Sequence, residues 1–264
     1  MSRPTLDMVM ARRREDVAAR KALRALAELE AMLPGLPPTR GFAASLAAAP
    51  RKPAVIAEIK KSSPSGGVLR PDFDPGAIAQ AYAAAGARGL SVLTEEAYFQ
   101  GDLGNLGRAR SLTDVPLLQK DFLFDPYQVV EARVFGADCI LLIVAVLTPS
   151  QLAELAGLAA SIGLDVLVEV HDEAELEVAL GFPAPLLGVN NRNLKTYEID
   201  LGTTGRLITA LGDRRGERLL VGESGIRTRA DVDRLVAAGV DAVLIGEALM
   251  RRPDLTEAFQ ELFA

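Results

Sequence analysis

The segment Pro116-Leu117-Leu118-Gln119-Lys120-Asp121-Phe122 is a short apolar run that ends in a lysine. Removing a lysine from water is costly, so a lysine that closes a buried strand usually has a partner or a task. The same pattern recurs at 55–60, 166–169, 187–190 and 220–224, where other apolar runs end in charged or polar residues. The polar groups at these successive strand ends are therefore expected to share one rim of a sheet.

From residue 54 onward the chain alternates between strand-like runs and amphipathic helices, which is typical of parallel β-α-β units. Strands are predicted at 54–60, 90–94, 117–120, 139–145, 166–170, 186–190, 219–223 and 242–246. Helices are predicted at 75–85, 103–111, 126–135, 149–162, 172–180, 202–211, 229–238 and 255–263. Eight such units in 264 residues predict an α/β protein with the (β/α)8 or TIM-barrel fold, which needs roughly 250 residues.

Residues 1–50 precede the first strand and form a predicted helical extension. Apolar residues at helical spacing predict one long helix or two shorter ones over 6–33, and a short helix over 41–49. We expect this extension to lie across a barrel formed by 54–264, so that residues 1–264 make a single domain.

Three glycines recur just before predicted strands, at Gly86, Gly136 and Gly239. A glycine at the end of a helix provides the left-handed cap, so this repetition has a structural cause. The opposite rim, where the strands end, is therefore expected to carry the chemistry.

Composition excludes several classes of function. The chain has 29 basic and 35 acidic residues and a net charge of −6, which argues against a general nucleic-acid or anionic-membrane surface. No apolar run reaches the roughly 18 residues of a membrane span, and no signal peptide is recognisable. We therefore expect a soluble, cytoplasmic protein that binds neither nucleic acid nor membrane.

The single cysteine, Cys139, and the single histidine, His171, limit the possible metal sites. One cysteine cannot form an internal disulfide, and the two residues are too few soft ligands for zinc. Counting does not exclude magnesium, but no aspartate-rich or Walker-type loop is present to bind it. We predict no metal site. Cys139 begins a strand and is expected in the core, and His171 is expected in a loop or capping role.

Charged residues at the predicted strand ends suggest acid–base chemistry. Glu58 and Lys60 have the same strand parity, so both are expected to point into the barrel, as a functional pair or as a structural ion pair. Lys120 and Glu169 are expected across the same mouth, where an ammonium acid and a carboxylate base could act on one substrate.

An anion site is predicted beside these charges. The loop Lys60-Lys61-Ser62-Ser63-Pro64-Ser65-Gly66-Gly67 could bind an anion or could be only a solvated loop. Glycines close the seventh and eighth strands, and a short helix after the eighth is expected to direct its positive end at an anion. The predicted ligand is a phosphorylated small metabolite.

Six apolar residues near the rim could line a pocket for a flat ring or could be ordinary core residues, and the sequence leaves both interpretations open. These residues are Phe99, Phe122, Leu141, Ile143, Leu194 and Ile226.

Seven strand-end motifs together resemble one known family. They are AEIKKSSPSG at 57–66, VLTE at 92–95, QKDF at 119–122, VEVH at 168–171, GVNNRNL at 188–194, GESGI at 222–226 and LIGEALM at 244–250. In this order they resemble indole-3-glycerol phosphate synthase of tryptophan biosynthesis, from the N-terminal helices to the last helix. The resemblance implies conversion of 1-(2-carboxyphenylamino)-1-deoxy-D-ribulose 5-phosphate to indole-3-glycerol phosphate, with loss of carbon dioxide and water and without metal or organic cofactor.

The resemblance also implies roles for the strand-end residues. Lys120 matches the general acid of ring closure, and Glu169 matches the family's catalytic carboxylate. Lys60 and Glu58 match a second acid–base pair, and the resemblance leaves open how Lys60 and Lys120 divide the steps. Asn190 joins this group because it matches a residue that orients the substrate.

Further positions match contacts to the substrate. Arg192 matches a residue that orients the substrate's hydroxyl groups and carboxylate, and Glu223 and Ser224 match polar contacts of the seventh strand. The phosphate positions fall on Ser63, Gly225, Gly246 and Glu247. Some relatives carry serine where Glu247 stands, so we expect the main chain to bind phosphate there and the carboxylate to turn away.

Other functions remain open at this stage. A phosphoribosylanthranilate isomerase would need a catalytic cysteine, whereas Cys139 begins a strand. A Schiff-base aldolase could use Lys120 as its nucleophile. A non-catalytic barrel that only binds a metabolite is disfavoured because Lys60, Lys120, Glu58 and Glu169 are all present. The resemblance also leaves open whether other tryptophan-pathway enzymes are partners of this protein.

Overall fold

Eight parallel strands close into a barrel in the computed structural model, which describes residues 4–264. They are β1 (Ala54–Ile59), β2 (Gly89–Leu93), β3 (Leu117–Lys120), β4 (Cys139–Ile143), β5 (Asp165–Val170), β6 (Leu186–Asn190), β7 (Leu219–Glu223) and β8 (Ala242–Ile245). Each strand pairs with the next along the chain, and β8 pairs with β1 to close the ring. The predicted (β/α)8 barrel is confirmed. The largest error in a strand boundary is at β4, because 144–146 form a 3-10 turn.

Twelve helices surround and extend this barrel in the described part of the chain. They are α1 (Leu6–Leu23), α2 (Leu26–Met32), α3 (Phe42–Ala47), α4 (Pro75–Ala85), α5 (Gly104–Arg110), α6 (Pro126–Val134), α7 (Pro149–Ser161), α8 (Glu173–Leu180), α9 (Gly202–Leu211), α10 (Arg229–Ala238), α11 (Glu247–Met250) and α12 (Leu255–Phe263). Within residues 4–264, no helix combines the length and the apolar character that crossing a bilayer requires.

Local signals explain why the barrel helices begin and end where they do. Asp74, Asp125 and Thr148 each accept a hydrogen bond from a main-chain N–H of the helix that follows, and a proline begins each of these helices. At the other end, Gly86 and Gly239 have φ angles of +105° and +101°. Only glycine adopts this conformation without strain, which accounts for the repeated glycines at the floor of the barrel.

The N-terminal extension consists of the long helix α1 and the short helices α2 and α3, and it reaches both ends of the barrel. The region predicted as one or two helices forms α1 and α2, with the break at Arg24. Near the start of the chain, the Tyr197 hydroxyl donates to the main-chain oxygen of Pro4 at 2.6 Å. The extension was predicted over 1–50, and residues 1–3 lie outside the described residues. The single-domain organisation stays a prediction.

Helix α3 closes the floor of the barrel. Phe42 is completely buried there among the inward residues of the strands. Its ring lies directly under β2, because a Cβ added to Gly89 would approach Phe42 Cζ to 2.7 Å. The main-chain N–H of Ala43 donates to Asp165 Oδ2 at 2.8 Å, which ties the first turn of α3 to the start of β5.

Strand parity separates the interior of the barrel from the helix interface. Ile56, Leu118, Leu167 and Val221 pack together inside the barrel, whereas their strand neighbours pack against the outer helices. In a barrel of this type the inward side chains of alternate strands form layers. Going up β1, β3, β5 and β7, the layer above these apolar residues consists of Glu58, Lys120, Glu169 and Glu223.

We expect Phe42→Ala to destabilise the fold by about 3–5 kcal/mol, because it leaves a cavity at a fully buried aromatic site. Urea-induced unfolding followed by circular dichroism measures this change. Leu23→Ala is the matched control, since the Leu23 side chain is 87% exposed and should change stability by less than about 0.5 kcal/mol. Equal stability losses in both variants would contradict the role given to α3.

Candidate active site

A cavity of about 490 Å³ opens at the carboxyl ends of the strands. Every site residue predicted from the sequence lines it: Glu58, Lys60, Ser63, Phe99, Lys120, Phe122, Leu141, Ile143, Glu169, Asn190, Arg192, Leu194, Glu223, Ser224, Gly225, Gly246 and Glu247. The structure therefore brings together all of these residues, although they are far apart in the sequence. Their individual roles remain proposals.

The Lys120 ammonium lies between two carboxylates at the base of the cavity. Its Nζ donates to Glu169 Oε2 at 2.6 Å and to Glu223 Oε2 at 3.1 Å. Both carboxylate side chains are only 1% exposed. Asn190 Nδ2 donates to the other Glu169 oxygen at 3.1 Å, so both oxygens of Glu169 are held.

The two carboxylates titrate differently because they share one ammonium. Burial would raise the pKa of Glu169, but Lys120 and then His171 outweigh it and bring that pKa well below its ordinary value. Burial raises the pKa of Glu223 to about 7, since the attraction of Lys120 is partly offset by repulsion from Glu169. Burial alone would lower the pKa of Lys120, yet Glu169 and then Glu223 raise it above its ordinary value. At neutral pH the site therefore holds a charged lysine, an ionised Glu169 and a partly protonated Glu223.

A second lysine–glutamate pair lies on β1. Lys60 Nζ donates to Glu58 Oε1, and both side chains are largely buried. The close approach of β8 makes room for this pair only because position 246 is a glycine. A Cβ there would lie 2.9 Å from the Cβ of Glu58.

Helix α1 reaches the end of β3 through a buried arginine. Arg13 is completely buried, and its Nη2 donates to Asp121 Oδ2 at 2.5 Å. The Thr94 hydroxyl donates to the same oxygen, and the Phe122 N–H donates to Asp121 Oδ1 at 2.8 Å. Asp121 follows Lys120 directly, so the extension helps to orient the strand end that carries the lysine. The apolar spacing of α1 predicted that it packs on the barrel but could not reveal this contact.

Small residues of the loops after β1, β7 and β8 lie on one side of the cavity. Ser63 ends the first strand of a short hairpin in which Ser62–Ser63 pairs with Gly67–Val68, and its Oγ accepts the Gly66 N–H at 3.0 Å. Ser224 and Gly225 both have positive φ angles, +62° and +85°. The short helix expected after the eighth strand is α11, which follows Gly246.

Arginines surround the carboxylate of Glu247. Arg251 Nη2 donates to Glu247 Oε1 at 2.9 Å, and Arg192 Nη2 lies 3.9 Å from Oε2. Arg192 also donates to Ser65 Oγ at 3.1 Å, which links the loops after β6 and β1. Burial would raise the pKa of Glu247, but Arg251 lowers it below its ordinary value. The carboxylate thus stays ionised, with its charge directed to Arg251.

Apolar side chains form one wall of the cavity. The rings of Phe99 and Phe122 are 6.4 Å apart and tilted by 47°. Leu141 and Ile143 belong to the inner core of the barrel and also line the cavity. This wall could accommodate a flat aromatic ring.

Several lining residues were not found by sequence reasoning. Leu6 and Val9 of α1, together with Arg227 and Arg251, also line the cavity. Arg227 could have been found from the sequence, because it lies two residues after the predicted phosphate position Gly225. A basic residue beside an anion-binding loop suits the same ligand. Leu6 and Val9 had no distinguishing signal, since apolar residues at helical spacing occur wherever a helix packs.

His171 lies in the loop expected for it, but its ring has a more specific environment. Its Nδ1 is 2.9 Å from Glu175 Oε2, and its Nε2 is 3.4 Å from Glu169 Oε1. Cys139, as predicted, is a completely buried core residue.

Comparison with known proteins identifies the family of this chain. The family model described as indole-3-glycerol phosphate synthase matches residues 6–262. The chain belongs to the indole-3-glycerol phosphate synthase family. The match to the indole-3-glycerol phosphate synthase family includes helix α1 of the N-terminal extension and all eight strands of the barrel.

Solved structures similar to this indole-3-glycerol phosphate synthase family member are other barrels. A 3-hexulose-6-phosphate synthase is 16% identical with a TM-score of 0.62, over 79% of this chain and 97% of that chain. A thiamine phosphate pyrophosphorylase from Pyrococcus furiosus is 18% identical with a TM-score of 0.59, over 80% of this chain and 94% of that chain. A mandelate oxidase variant is 17% identical with a TM-score of 0.58, over 80% and 72%. At these identities the similarity shows the fold alone.

We expect the stability of Glu223→Gln, relative to the unsubstituted protein, to rise with pH. The folded pKa of about 7 lies above the ordinary value of 4.5, so this carboxyl stabilises the fold below pH 4.5 and loses that contribution as the pH rises through 7. The variant should therefore gain about 1–3 kcal/mol of unfolding free energy relative to the unsubstituted protein between pH 4.5 and pH 8. Urea unfolding at both pH values measures the difference. Glu217→Gln, at an exposed position, should show no such trend, and a Glu223→Gln gain that is independent of pH would contradict the assignment.

Proposed function

We propose that this chain catalyses ring closure, decarboxylation and dehydration of 1-(2-carboxyphenylamino)-1-deoxy-D-ribulose 5-phosphate to indole-3-glycerol phosphate, as a carboxy-lyase. The observation that carries the proposal is the Lys120 ammonium, held at 2.6 Å and 3.1 Å by two buried carboxylates at the base of the cavity. In a chain of this family, that arrangement supplies a charged acid and an ionised base side by side. We propose that the reaction needs no metal or organic cofactor.

Lys120 is the proposed acid of ring closure. The ring carbon attacks the ribulose carbonyl, whose oxygen gains negative charge and needs a proton. An ammonium stabilised by two carboxylates is fully charged at neutral pH, and its position among inward side chains directs it at the cavity. Loss of carbon dioxide then restores the aromatic ring.

Glu169 is the proposed base of the dehydration. Removing water from the cyclised intermediate requires a base for a carbon-bound hydrogen and an acid for the leaving hydroxyl group. The pKa of Glu169 lies below its ordinary value, so the carboxylate is ionised and ready to accept a proton. The Lys60–Glu58 pair on β1 offers a second acid and base in the same cavity.

Glu223 is suited to return the proton to Lys120. Its pKa of about 7 means that it carries a proton for part of the time at neutral pH. Its Oε2 is 3.1 Å from Lys120 Nζ. Asn190 orients Glu169 between these steps, and Ser224 lines the cavity next to Glu223.

The substrate's ends suit opposite parts of the cavity. Ser63, the main chain at Gly225 and Gly246, and the arginines near Glu247 are the proposed phosphate site. A serine hydroxyl can accept one hydrogen bond and still donate its own hydrogen to phosphate. The aromatic ring is proposed to lie against Phe99, Phe122, Leu141, Ile143 and Leu194, with Arg192 near the substrate's carboxylate or hydroxyl groups.

The alternative activities fit these contacts less well. A Schiff-base aldolase needs a neutral lysine as nucleophile, whereas the pKa of Lys120 lies above its ordinary value because of Glu169 and Glu223. An isomerase that used the cysteine would need it in the cavity, and Cys139 is completely buried at the start of β4. A non-catalytic binding protein would have no use for two buried lysine–carboxylate clusters.

Incubation with the carboxyphenylamino-deoxyribulose phosphate tests the proposal directly. We expect growth of indole fluorescence together with release of one carbon dioxide per product. Lys120→Met should lower kcat by at least about 100-fold, because it removes the acid, whereas Lys195→Met, at an exposed loop position, should be fully active. A folded protein that forms no indole product, or that is inactivated when borohydride traps substrate on Lys120, would overturn the proposal.

Ser63→Ala tests the phosphate site. Phosphate contacts bind substrate and transition state alike, so we expect KM to rise several-fold while kcat stays within about twofold. Steady-state kinetics measures both values. Ser161→Ala, on the exposed end of α7, is the control, and a fall in kcat with KM unchanged would argue against the phosphate assignment.

A further inference from the structure

The single histidine of the chain links the proposed base to the next helix. His171 follows the end of β5, two residues after Glu169, and immediately precedes the N-cap residue of α8. Its Nδ1 lies 2.9 Å from Glu175 Oε2, and its Nε2 lies 3.4 Å from Glu169 Oε1. The imidazole therefore has a carboxylate on each side. It does not line the cavity itself.

Glu175 is fixed in place to receive this ring. Its Oε2 also accepts the main-chain N–H of His171 at 2.8 Å, and its own N–H donates to Asp172 Oδ1 at 2.8 Å. These bonds anchor Glu175 in the first turn of α8, so the imidazole is held on a rigid element. A neutral imidazole has one N–H, whereas a ring with a carboxylate next to each nitrogen is favoured with both nitrogens protonated.

Within residues 4–264, His171 Nε2 has no hydrogen bond of good geometry despite being buried. The nearest acceptor is Glu169 Oε1, at 3.4 Å, which also accepts the amide of Asn190 at 3.1 Å. A buried N–H without an aligned partner is unfavourable. A small rotation of the Glu169 carboxylate would give this nitrogen its partner.

We propose that His171 is a positioning residue for Glu169: a doubly protonated bridge between Glu175 and Glu169 that keeps Glu169 oriented and ionised when Lys120 has given up its proton. The catalytic part of this inference rests on the proposed function, whereas the charge of His171 is a property of the free protein.

The charge balance of the site explains the need for a second cation. Glu169 faces Lys120 from β3, Glu223 from β7, the neutral amide of Asn190 from β6, and His171 from its own strand end. Among residues 4–264, Lys120 is the cation that contacts both carboxylates from the cavity side. Once it donates its proton, Glu169 would be favoured to take a proton itself and would stop acting as a base. A cation that does not touch substrate prevents this.

The electrostatic surroundings of His171 agree with a charged ring. Burial would lower its pKa, but the neighbouring carboxylates of Glu169 and then Glu175 outweigh it and raise the pKa to about 10. These two carboxylates are the charged groups that face the ring. An ordinary histidine titrates near 6.5. At pH 7.5 an ordinary ring is therefore mostly neutral, whereas the ring of His171 is charged.

The charge can be read directly because the chain has one histidine. We expect nitrogen-15 NMR of the unsubstituted protein to show both ring nitrogens protonated from pH 6 to about pH 9. Glu175→Gln should lower the titration midpoint by at least about one unit, whereas Glu173→Gln, at an exposed position of the same turn, should leave it unchanged. A neutral ring at pH 7.5, or a midpoint near 6.5, overturns the proposal.

Kinetics tests the consequence for Glu169. His171→Asn keeps a hydrogen-bonding group near Glu175 and removes the charge. We expect kcat to fall about 10-fold or more at pH 6, with KM changed less than about twofold, and the loss to shrink as the pH rises, because Glu169 then ionises without help. Glu173→Gln should keep full activity.

The outcomes separate this inference from the proposed function. A merely structural histidine would give a loss that is the same at every pH, and that result overturns the inference. If the unsubstituted protein makes no indole product, the proposed function fails, and the NMR titration still decides whether His171 is the bridge described. If His171→Asn does not fold, the NMR titration of Glu175→Gln decides the inference, because that variant changes the charge of the ring without replacing it.

Discussion

The interaction on which this structure depends is the contact of one largely buried ammonium with two buried carboxylates. Lys120, Glu169 and Glu223 lie on alternate strands and meet in the layer of inward side chains just above the apolar interior. Breaking a buried ion pair by removing one partner costs about 3–5 kcal/mol, because an uncompensated charge remains. The three residues therefore depend on one another, and the barrel must be closed before any of them has its partner.

One cation cannot satisfy two anions equally, and this inequality produces the chemical difference between them. Glu169 has the shorter contact with Lys120 and a second cation in His171, so it stays ionised. Glu223 has the longer contact and faces the charge of Glu169, so its pKa rises to about 7 because of burial. An ionised carboxylate and a partly protonated carboxyl group thus arise from the same residue type through differences in contacts alone.

The N-terminal extension stabilises the barrel at both ends. At the floor, Phe42 of α3 fills the space beneath β2 that Gly89 leaves open. At the mouth, Arg13 of α1 binds Asp121, the residue after Lys120, while Leu6 complements the cavity wall. The extension therefore belongs to the site as well as to the fold. One buried hydrogen bond thus joins α1 to the residue that follows Lys120.

The sequence by itself determined the strands, the helices and the rim on which the site would form. Strand alternation and helix caps are local signals, and strand parity shows that Glu58 and Lys120 point inward without any knowledge of their partners. Both residues accordingly line the cavity. Only the tertiary structure decided which charges touch. It placed Arg13 against Asp121 and the ring of His171 between Glu169 and Glu175, and it distinguished Glu169 from Glu223. The physical reason is that contact distances and burial depend on how strands far apart in the chain pack around the closed ring. A pKa follows from those distances and has no local signature in the sequence.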